Sequence, residues 1–138
     1  MKRRIKLTLA LLATALWLCF IFSRSAQTAA VSDAESGWVL SLLRRILPAM
    51  SMLFVRKLAH FSELFLLGAL LWLDWRLLTR GNVLLPLGVG LLCSAADEYL
   101  QTFIPGRSGE LMDVLLDFSG VCCAVLLLQL LRRRKRSP

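Results

Sequence analysis

The sequence contains few of the histidine, acidic and cysteine residues that usually form metal sites or disulfide frameworks in soluble proteins. It has one histidine, His60, and nine acidic residues among 138. The four cysteines (Cys19, Cys93, Cys122 and Cys123) all lie in apolar runs and show no C-x-x-C spacing. This pattern argues against a disulfide framework and against a zinc site. The cysteines are instead interpreted as small core side chains. The sequence also lacks an internal repeat and a low-complexity tract.

Apolar residues are the ones in excess. They make up 57% of the chain, and the mean hydropathy is +0.67, which is more than a soluble domain of this length can bury. The length suits one domain, covering residues 1–138. The net charge of +8 is concentrated in the terminal stretches MKRRIK and RRRKRSP. Basic ends beside apolar runs are typical of cytoplasmic termini that face anionic lipid, so a nucleic-acid partner is not expected.

Four apolar segments cover residues 5–22, 58–78, 83–101 and 111–131. Each is close to the about 20 residues that a helix needs to cross the hydrocarbon core. We therefore predict an all-α fold, a polytopic membrane helix bundle of four transmembrane helices. The first segment and the following SAQTAA also resemble a secretory signal peptide. Its apolar run exceeds the usual about 7–15 residues, which favours an uncleaved helix.

The first outer loop is predicted to hold an additional, interfacial amphipathic helix. Ser32 and Glu35 have the S-x-x-E spacing of a capping box, and Pro48 marks the end of the helix. A helix lying on the outer membrane surface fits this pattern, and packing against the other helices is the alternative. The apolar residues at helical spacing are Trp38, Val39, Leu42, Leu43, Ile46 and Leu47.

The distribution of basic residues predicts the orientation. If both termini are cytoplasmic, eleven of the 17 lysines and arginines face inward, as the positive-inside rule requires. Asp74, near the inner end of the second segment, is then expected to be an interfacial anchor that pairs with Arg76 or Arg80. The inward residues are Lys2, Arg3, Arg4, Lys6, Arg76, Arg80, Arg132, Arg133, Arg134, Lys135 and Arg136, and the outward ones are Arg24, Arg44, Arg45, Arg56, Lys57 and Arg107.

This topology brings polar residues from three segments to one depth near the outer surface. Five acids near one histidine and one arginine cannot all be bare carboxylates at low dielectric, so some must be protonated, paired or metal-bound. Ionisable residues inside a membrane indicate a functional site by default, and a structural polar network is the alternative. We call this set the polar cluster: His60, Glu63, Asp97, Glu98, Gln101, Arg107, Asp113 and Asp117.

Helical spacing places the polar residues of the third and fourth segments on stripes that continue into small residues. Small residues allow helices to approach closely in a membrane, so the two stripes are predicted to face each other. They consist of Gly90, Ser94, Asp97 and Gln101 on the third segment, and of Asp113, Asp117, Gly120 and Ala124 on the fourth.

The connector IPGR, residues 104–107, predicts a type II turn with Pro105 and Gly106 at its centre. Ser108 is predicted to cap the fourth segment. The turn places Arg107 over the carboxylates, where it either neutralises them or reaches outward to an anionic head group.

Three stretches of the sequence can be compared with known families: RKLAHFSELFLLG from Arg56, DEYLQTFIPGRSGELMD from Asp97 and DFSG from Asp117. Together they resemble the VanZ-like membrane proteins, a bacterial family named for a teicoplanin-resistance protein. The resemblance covers about residues 22–120, and it implies a multi-pass protein of the bacterial cytoplasmic membrane. The family often has tyrosine at position 64 and asparagine at position 117, where this chain has Leu64 and Asp117. The motif maps onto His60, Phe61, Glu63, Asp97, Glu98, Gln101, Arg107, Asp113 and Gly120.

These observations favour a membrane site that binds or modifies an envelope molecule at the outer leaflet. Candidate partners are a membrane lipid, a lipid-linked cell-wall precursor or a lipoglycopeptide. A non-catalytic accessory protein and a small transporter are the alternatives, and the sequence leaves open whether the site is enzymatic. It identifies no cofactor, and a single histidine with these acids matches no fixed metal-ligand signature.

Within the polar cluster, the residue types indicate different roles. His60 is the candidate general acid or base. Arg107 would bind an anionic head group, with Gln101 and Asp117 as further ligand-binding candidates. The remaining catalytic candidates would orient His60, share a proton or hold a divalent cation, and they are Glu63, Asp97, Glu98 and Asp113.

Overall fold

A computed structural model of the protein describes residues 1–79 and 82–134. Within these ranges the chain forms helices and no strand, which confirms the all-α prediction. Arg80, Lys135 and Arg136, which were assigned to the inner side, lie outside the described residues. The helices are α1 (Lys2–Ser25), α2 (Ala29–Leu43), α3 (Met52–Leu78), α4 (Leu84–Gln101) and α5 (Leu111–Arg134).

The four long helices alternate in direction along the chain. The N-terminal end of α1 lies beside the C-terminal end of α3, because the Arg3 side chain donates to the Leu77 carbonyl at 2.8 Å. At the opposite end, the Ser25 hydroxyl of α1 donates to Asp97 near the end of α4. The N-terminal ends of α3 and α5 and the C-terminal ends of α1 and α4 therefore meet on one side of the bundle.

The tightest helix contact joins α3 and α5, because two glycines let their backbones touch. A Cβ atom on Gly68 would lie 2.8 Å from Val121 Cα, and one on Gly120 would lie 2.6 Å from the Phe61 carbonyl oxygen. The small-residue stripe of α5 therefore packs against α3. The prediction that it faces the stripe of α4 holds at the polar ends, where Asp97 and Asp117 lie close together beside His60. Beyond them, α4 contacts the neighbouring Val121 through Gly90.

An apolar core separates the two ends of the bundle. Leu64 and Leu67 of α3 and Val121 and Val125 of α5 are buried in it, and Ile21 of α1 joins them. This layer lies between the polar ends of the helices and their opposite ends. It stabilises the packing of α1, α3 and α5 by removing large side chains from solvent.

The second helix differs from its predicted limits. It begins at Ala29 with Thr28 in the N-cap position, so Ser32 and Glu35 lie inside the helix and do not form a capping box. Alanine favours helix strongly, which explains the earlier start. Glu35 instead pairs with Arg24 of α1. The helix ends at Leu43 and a turn follows, well before the predicted stop at Pro48.

Two of the helices, α1 and α5, are long and apolar enough to cross a membrane. Their outward surfaces carry exposed leucines such as Leu9 and Leu16 in α1 and Leu126 in α5. Helices α3 and α4 carry charged side chains within their length, among them Glu63, Asp97 and Glu98. The four-span arrangement therefore stays a prediction.

Candidate functional site

The end of the bundle where α3, α4 and α5 meet contains a polar cavity of about 420 Å³. The turn between α4 and α5 covers part of it. Among its lining residues are six members of the polar cluster and two further basic side chains, Arg56 and Lys57. The six members are His60, Glu98, Gln101, Arg107, Asp113 and Asp117.

The two remaining members of the polar cluster lie directly beside this cavity. Glu63 lines a smaller adjoining pocket together with His60 and Arg107. Asp97 is completely buried next to His60. The structure therefore brings all eight predicted residues together at one end of the bundle, while their roles stay predictions.

His60 lies between two buried carboxylates. Its Nδ1 atom is 3.9 Å from Asp97 Oδ2 and 3.8 Å from Asp117 Oδ2. These distances are too long for hydrogen bonds, but they are short enough for strong electrostatic coupling at low dielectric. A protonated His60 would therefore be attracted to both acids.

The two aspartates differ in how their oxygens are satisfied. Asp97 accepts hydrogen bonds from the Ser25 hydroxyl and from Gln101 Nε2, the latter at 3.1 Å. Asp117 is fully buried, and neither of its carboxylate oxygens has a hydrogen-bond partner among the described residues. A buried carboxylate without hydrogen-bond partners is destabilising, so Asp117 depends on a nearby positive charge, which a protonated His60 or a bound cation can supply.

Two other acids that line the cavity, Glu98 and Asp113, have structural partners. Glu98 Oε1 accepts the Glu110 backbone N–H at 2.7 Å, which ties the end of α4 to the start of α5. Asp113 pairs with Lys57 of α3.

Helix α5 begins at Leu111, so its N-cap position falls at Glu110, and the prediction that Ser108 caps it is wrong. The intervening residues 107–110 are irregular, which moves the helix start past Ser108.

Arg107 follows the predicted type II turn. Gly106 has φ +80°, the value that favours glycine at this position, and the Arg107 N–H donates to the Ile104 carbonyl at 3.1 Å. The Nε and Nη1 atoms of the guanidinium are buried without a hydrogen-bond partner. No carboxylate among the described residues forms an ion pair with it, and burial lowers the pKa of Arg107.

Three side chains of this site were not predicted as members of it. Arg56 and Lys57 were counted only as basic loop residues, yet both lie in the first turns of α3. Arg56 and Lys57 lie four and three residues before His60, so they share a face of α3 with it. This spacing could have identified them as members of the site. Ser25 had no such signal, because the sequence does not show how α1 is rotated against α4.

Asp74 lies far from the cavity and has a different partner from the one predicted. It is buried and accepts a hydrogen bond from the Thr14 hydroxyl of α1 at 2.6 Å. Arg76 instead lies over the Trp72 ring, 5.3 Å from its centre. The predicted ion pair with Arg76 is therefore wrong, and the alternative partner, Arg80, lies outside the described residues. The hydrogen bond from Thr14 to Asp74 connects α1 to α3. Because the threonine hydroxyl is neutral, this contact does not require a second charged side chain.

The apolar outer surfaces of α1 and α5 are typical of membrane helices. The family model described as VanZ/LLP1 matches residues 10–132. The match covers most of the chain and includes the whole polar cluster, so the protein belongs to the VanZ/LLP1 family. Searches of curated proteins and of solved structures gave no significant match.

Proposed function

We propose that the protein binds an anionic, lipid-linked molecule of the bacterial envelope at the outer face of the cytoplasmic membrane. The observation that carries this proposal is Arg107. Its guanidinium faces a cavity, is partly desolvated and has no carboxylate partner among the described residues. An arginine in this state matches the bidentate geometry of a phosphate or carboxylate ligand.

Further basic side chains support an anionic ligand. Arg56 and Lys57 line the same cavity, and Arg24 lines the adjoining pocket with Arg107. Lys57 is already paired with Asp113, and Arg24 is paired with Glu35. Arg107 is therefore the basic residue with the greatest capacity to bind an incoming head group.

An apolar groove next to the cavity supports a ligand that carries a hydrocarbon chain. This groove, of about 530 Å³, runs between α2 and α3 and is lined mainly by Trp38, Val39 and Leu58. At one end it shares Arg24 with the pocket that contains His60 and Arg107. A lipid could place its chain in the groove and its head group beside Arg107, with α2 lying at the membrane surface.

The alternatives from the sequence have less support. A purely structural network satisfies its own buried members, whereas Arg107 and Asp117 have unpaired buried atoms. A transport path would need polar groups through the bundle, but Leu64, Leu67 and Val121 fill its middle. A lipoglycopeptide such as teicoplanin combines a hydrocarbon chain with an ionisable head, so it is included as a second probe of the same site.

The contacts of α1 support a first helix that stays in the mature protein. Ser25 bonds to Asp97 inside the site, and Trp17 donates to the Glu63 carbonyl at 3.0 Å. Cleavage of α1 as a signal peptide would remove Ser25 and Trp17 and expose Asp97. We therefore expect the N-terminal helix in the purified protein, and its mass will show this.

Co-purification tests the proposed ligand. We expect native mass spectrometry of detergent-extracted protein to show about one bound anionic lipid or lipid-linked precursor per chain. A protein that carries only zwitterionic lipid in proportion to the membrane would contradict the proposal. Teicoplanin added to the same sample should displace the bound molecule if the site also accepts lipoglycopeptides.

Reporter fusions test the orientation. Alkaline phosphatase fused after Gly106 should be active, because the α4–α5 turn is expected outside the cytoplasm. The same enzyme fused after Thr79 should be inactive, because the α3–α4 connection is expected inside. The reverse pattern would place the polar cavity on the cytoplasmic side and exclude an outer-leaflet ligand.

A further inference from the structure

We propose that His60, Asp97 and Asp117 hold a divalent cation, Zn²⁺ or Mn²⁺, at the floor of the polar cavity. One imidazole nitrogen and two carboxylates form a donor set that suits these ions. The proposal deepens the proposed function, because the cation would lie beneath the bound head group. The role of the cation beneath a head group rests on the proposed function, whereas metal binding itself can be measured without any lipid.

The geometry of the three side chains fits ligands around one ion. His60 Nδ1 lies 3.9 Å from Asp97 Oδ2 and 3.8 Å from Asp117 Oδ2, and one ligand atom from each residue lies within 4.8 Å of the others. Two ligands on a tetrahedral zinc ion are separated by about 3.4 Å, given its bond lengths. The two distances from His60 exceed this separation by about 0.4–0.5 Å, so small side-chain movements would bring His60 and each carboxylate to the spacing of two zinc ligands.

The burial of Asp117 is the independent observation that points to a cation. This carboxylate is 0% exposed, and both of its oxygens lack a hydrogen-bond partner in the described part of the chain. Two other acids facing the cavity have partners, since Glu98 accepts an N–H group and Asp113 pairs with Lys57. A cation between Asp117 and His60 would give the Asp117 oxygens the close ligand contact that His60, at 3.8 Å, does not make.

Asp97 is held by hydrogen bonds from neighbouring side chains, as metal-binding carboxylates commonly are. Ser25 and Gln101 both donate to its carboxylate, which fixes the orientation of the side chain. Such outer partners commonly orient metal ligands and increase metal affinity. His60 and Asp117 also line the cavity, so the cation would retain an open coordination position toward a water molecule or an anionic head group.

Direct metal titration tests this site. Full-length protein in detergent is treated with a chelator, and Zn²⁺, Mn²⁺ and the spectroscopic probe Co²⁺ are then added. We expect saturable binding of about one ion per chain and a visible Co²⁺ absorption. Asp117→Asn and His60→Gln should each weaken binding by at least about tenfold, and Ser25→Ala should weaken it less than either.

Asp74→Asn is the matched control, because Asp74 is also a buried aspartate but lies at the other end of α3. It should bind metal as the wild type does. Size-exclusion profiles and thermal unfolding identify the variants that fold, and either of the two ligand variants is sufficient for the comparison. The absence of saturable binding in the wild type, or equal affinities for Asp74→Asn and a folded ligand variant, would overturn the site. Lipid retention without metal binding would overturn this inference alone.

Discussion

Arg107→Lys is expected to lower the affinity for an anionic lipid head group by about tenfold to a hundredfold without loss of the fold. Lysine keeps the positive charge but loses the planar pair of N–H donors that a phosphate can engage. Charge-assisted hydrogen bonds contribute about 1.5–3 kcal/mol each, which corresponds to this loss. The fold should persist because no described side chain pairs with Arg107. Calorimetric titration with short-chain phosphatidic acid in detergent measures the effect.

Arg45→Lys is the control for this variant. Arg45 is an exposed residue in the turn after α2 and does not line the polar cavity. Its replacement should leave the affinity for phosphatidic acid unchanged. An Arg107→Lys variant that binds as tightly as the Arg45→Lys variant would mean that Arg107 only balances the charge of the neighbouring acids.

Gly120→Ala is expected to cause a large loss of stability in the bundle. The new Cβ would lie 2.6 Å from the Phe61 carbonyl oxygen and 3.1 Å from the Phe65 nitrogen, so α3 and α5 would have to separate. Overpacking of this kind costs about 1–3 kcal/mol and more where backbone must move. Separation would also move His60 away from Asp117. Thermal unfolding in detergent measures the loss.

Gly88→Ala provides the same chemical change without the contact. A Cβ on Gly88 of α4 meets no atom within 4 Å. Alanine favours helix over glycine by about 1 kcal/mol, so this variant should be as stable as the wild type or more stable. If Gly120→Ala unfolds at the same temperature as Gly88→Ala, the close packing of α3 and α5 is not what holds the bundle together.

The positions of the long helices could be predicted from hydropathy, although some of their ends differ from the predicted ones. The third segment was expected at residues 83–101, and α4 covers Leu84–Gln101. The second was expected to begin at residue 58, but α3 begins at Met52 with Ser51 as its cap. Hydropathy marks the apolar part of a helix, whereas backbone hydrogen bonds continue through charged residues such as Arg56 and Lys57.

The membership of the polar cavity could also be predicted, because helical spacing decides which residues share a face. On α4 the predicted stripe is buried as expected, from Gly90 through Asp97 to Gln101. Spacing does not decide which neighbouring helix a face contacts. For this reason the packing of Gly120 of the α5 stripe on α3 was not predicted, and neither was the contact between Ser25 and Asp97.

The details of pairing depend on three-dimensional packing and could not be predicted. The sequence left two uses for Arg107, as a counter-ion for the acids or as a ligand for an anionic head group. In the structure Lys57 neutralises Asp113, and an N–H group satisfies Glu98. Arg107 thereby stays without a carboxylate partner among the described residues, and this supports the second use.

The most direct test of the proposed anion-binding role is a titration of the wild-type protein with two short-chain lipids that differ only in their head groups. Phosphatidic acid presents an anionic phosphate to Arg107, whereas phosphatidylcholine presents a zwitterionic head group with the same chains. We expect saturable binding of about one phosphatidic acid per chain and at least about tenfold weaker binding of phosphatidylcholine. Equal affinities for the two lipids would contradict an anion-binding site at Arg107.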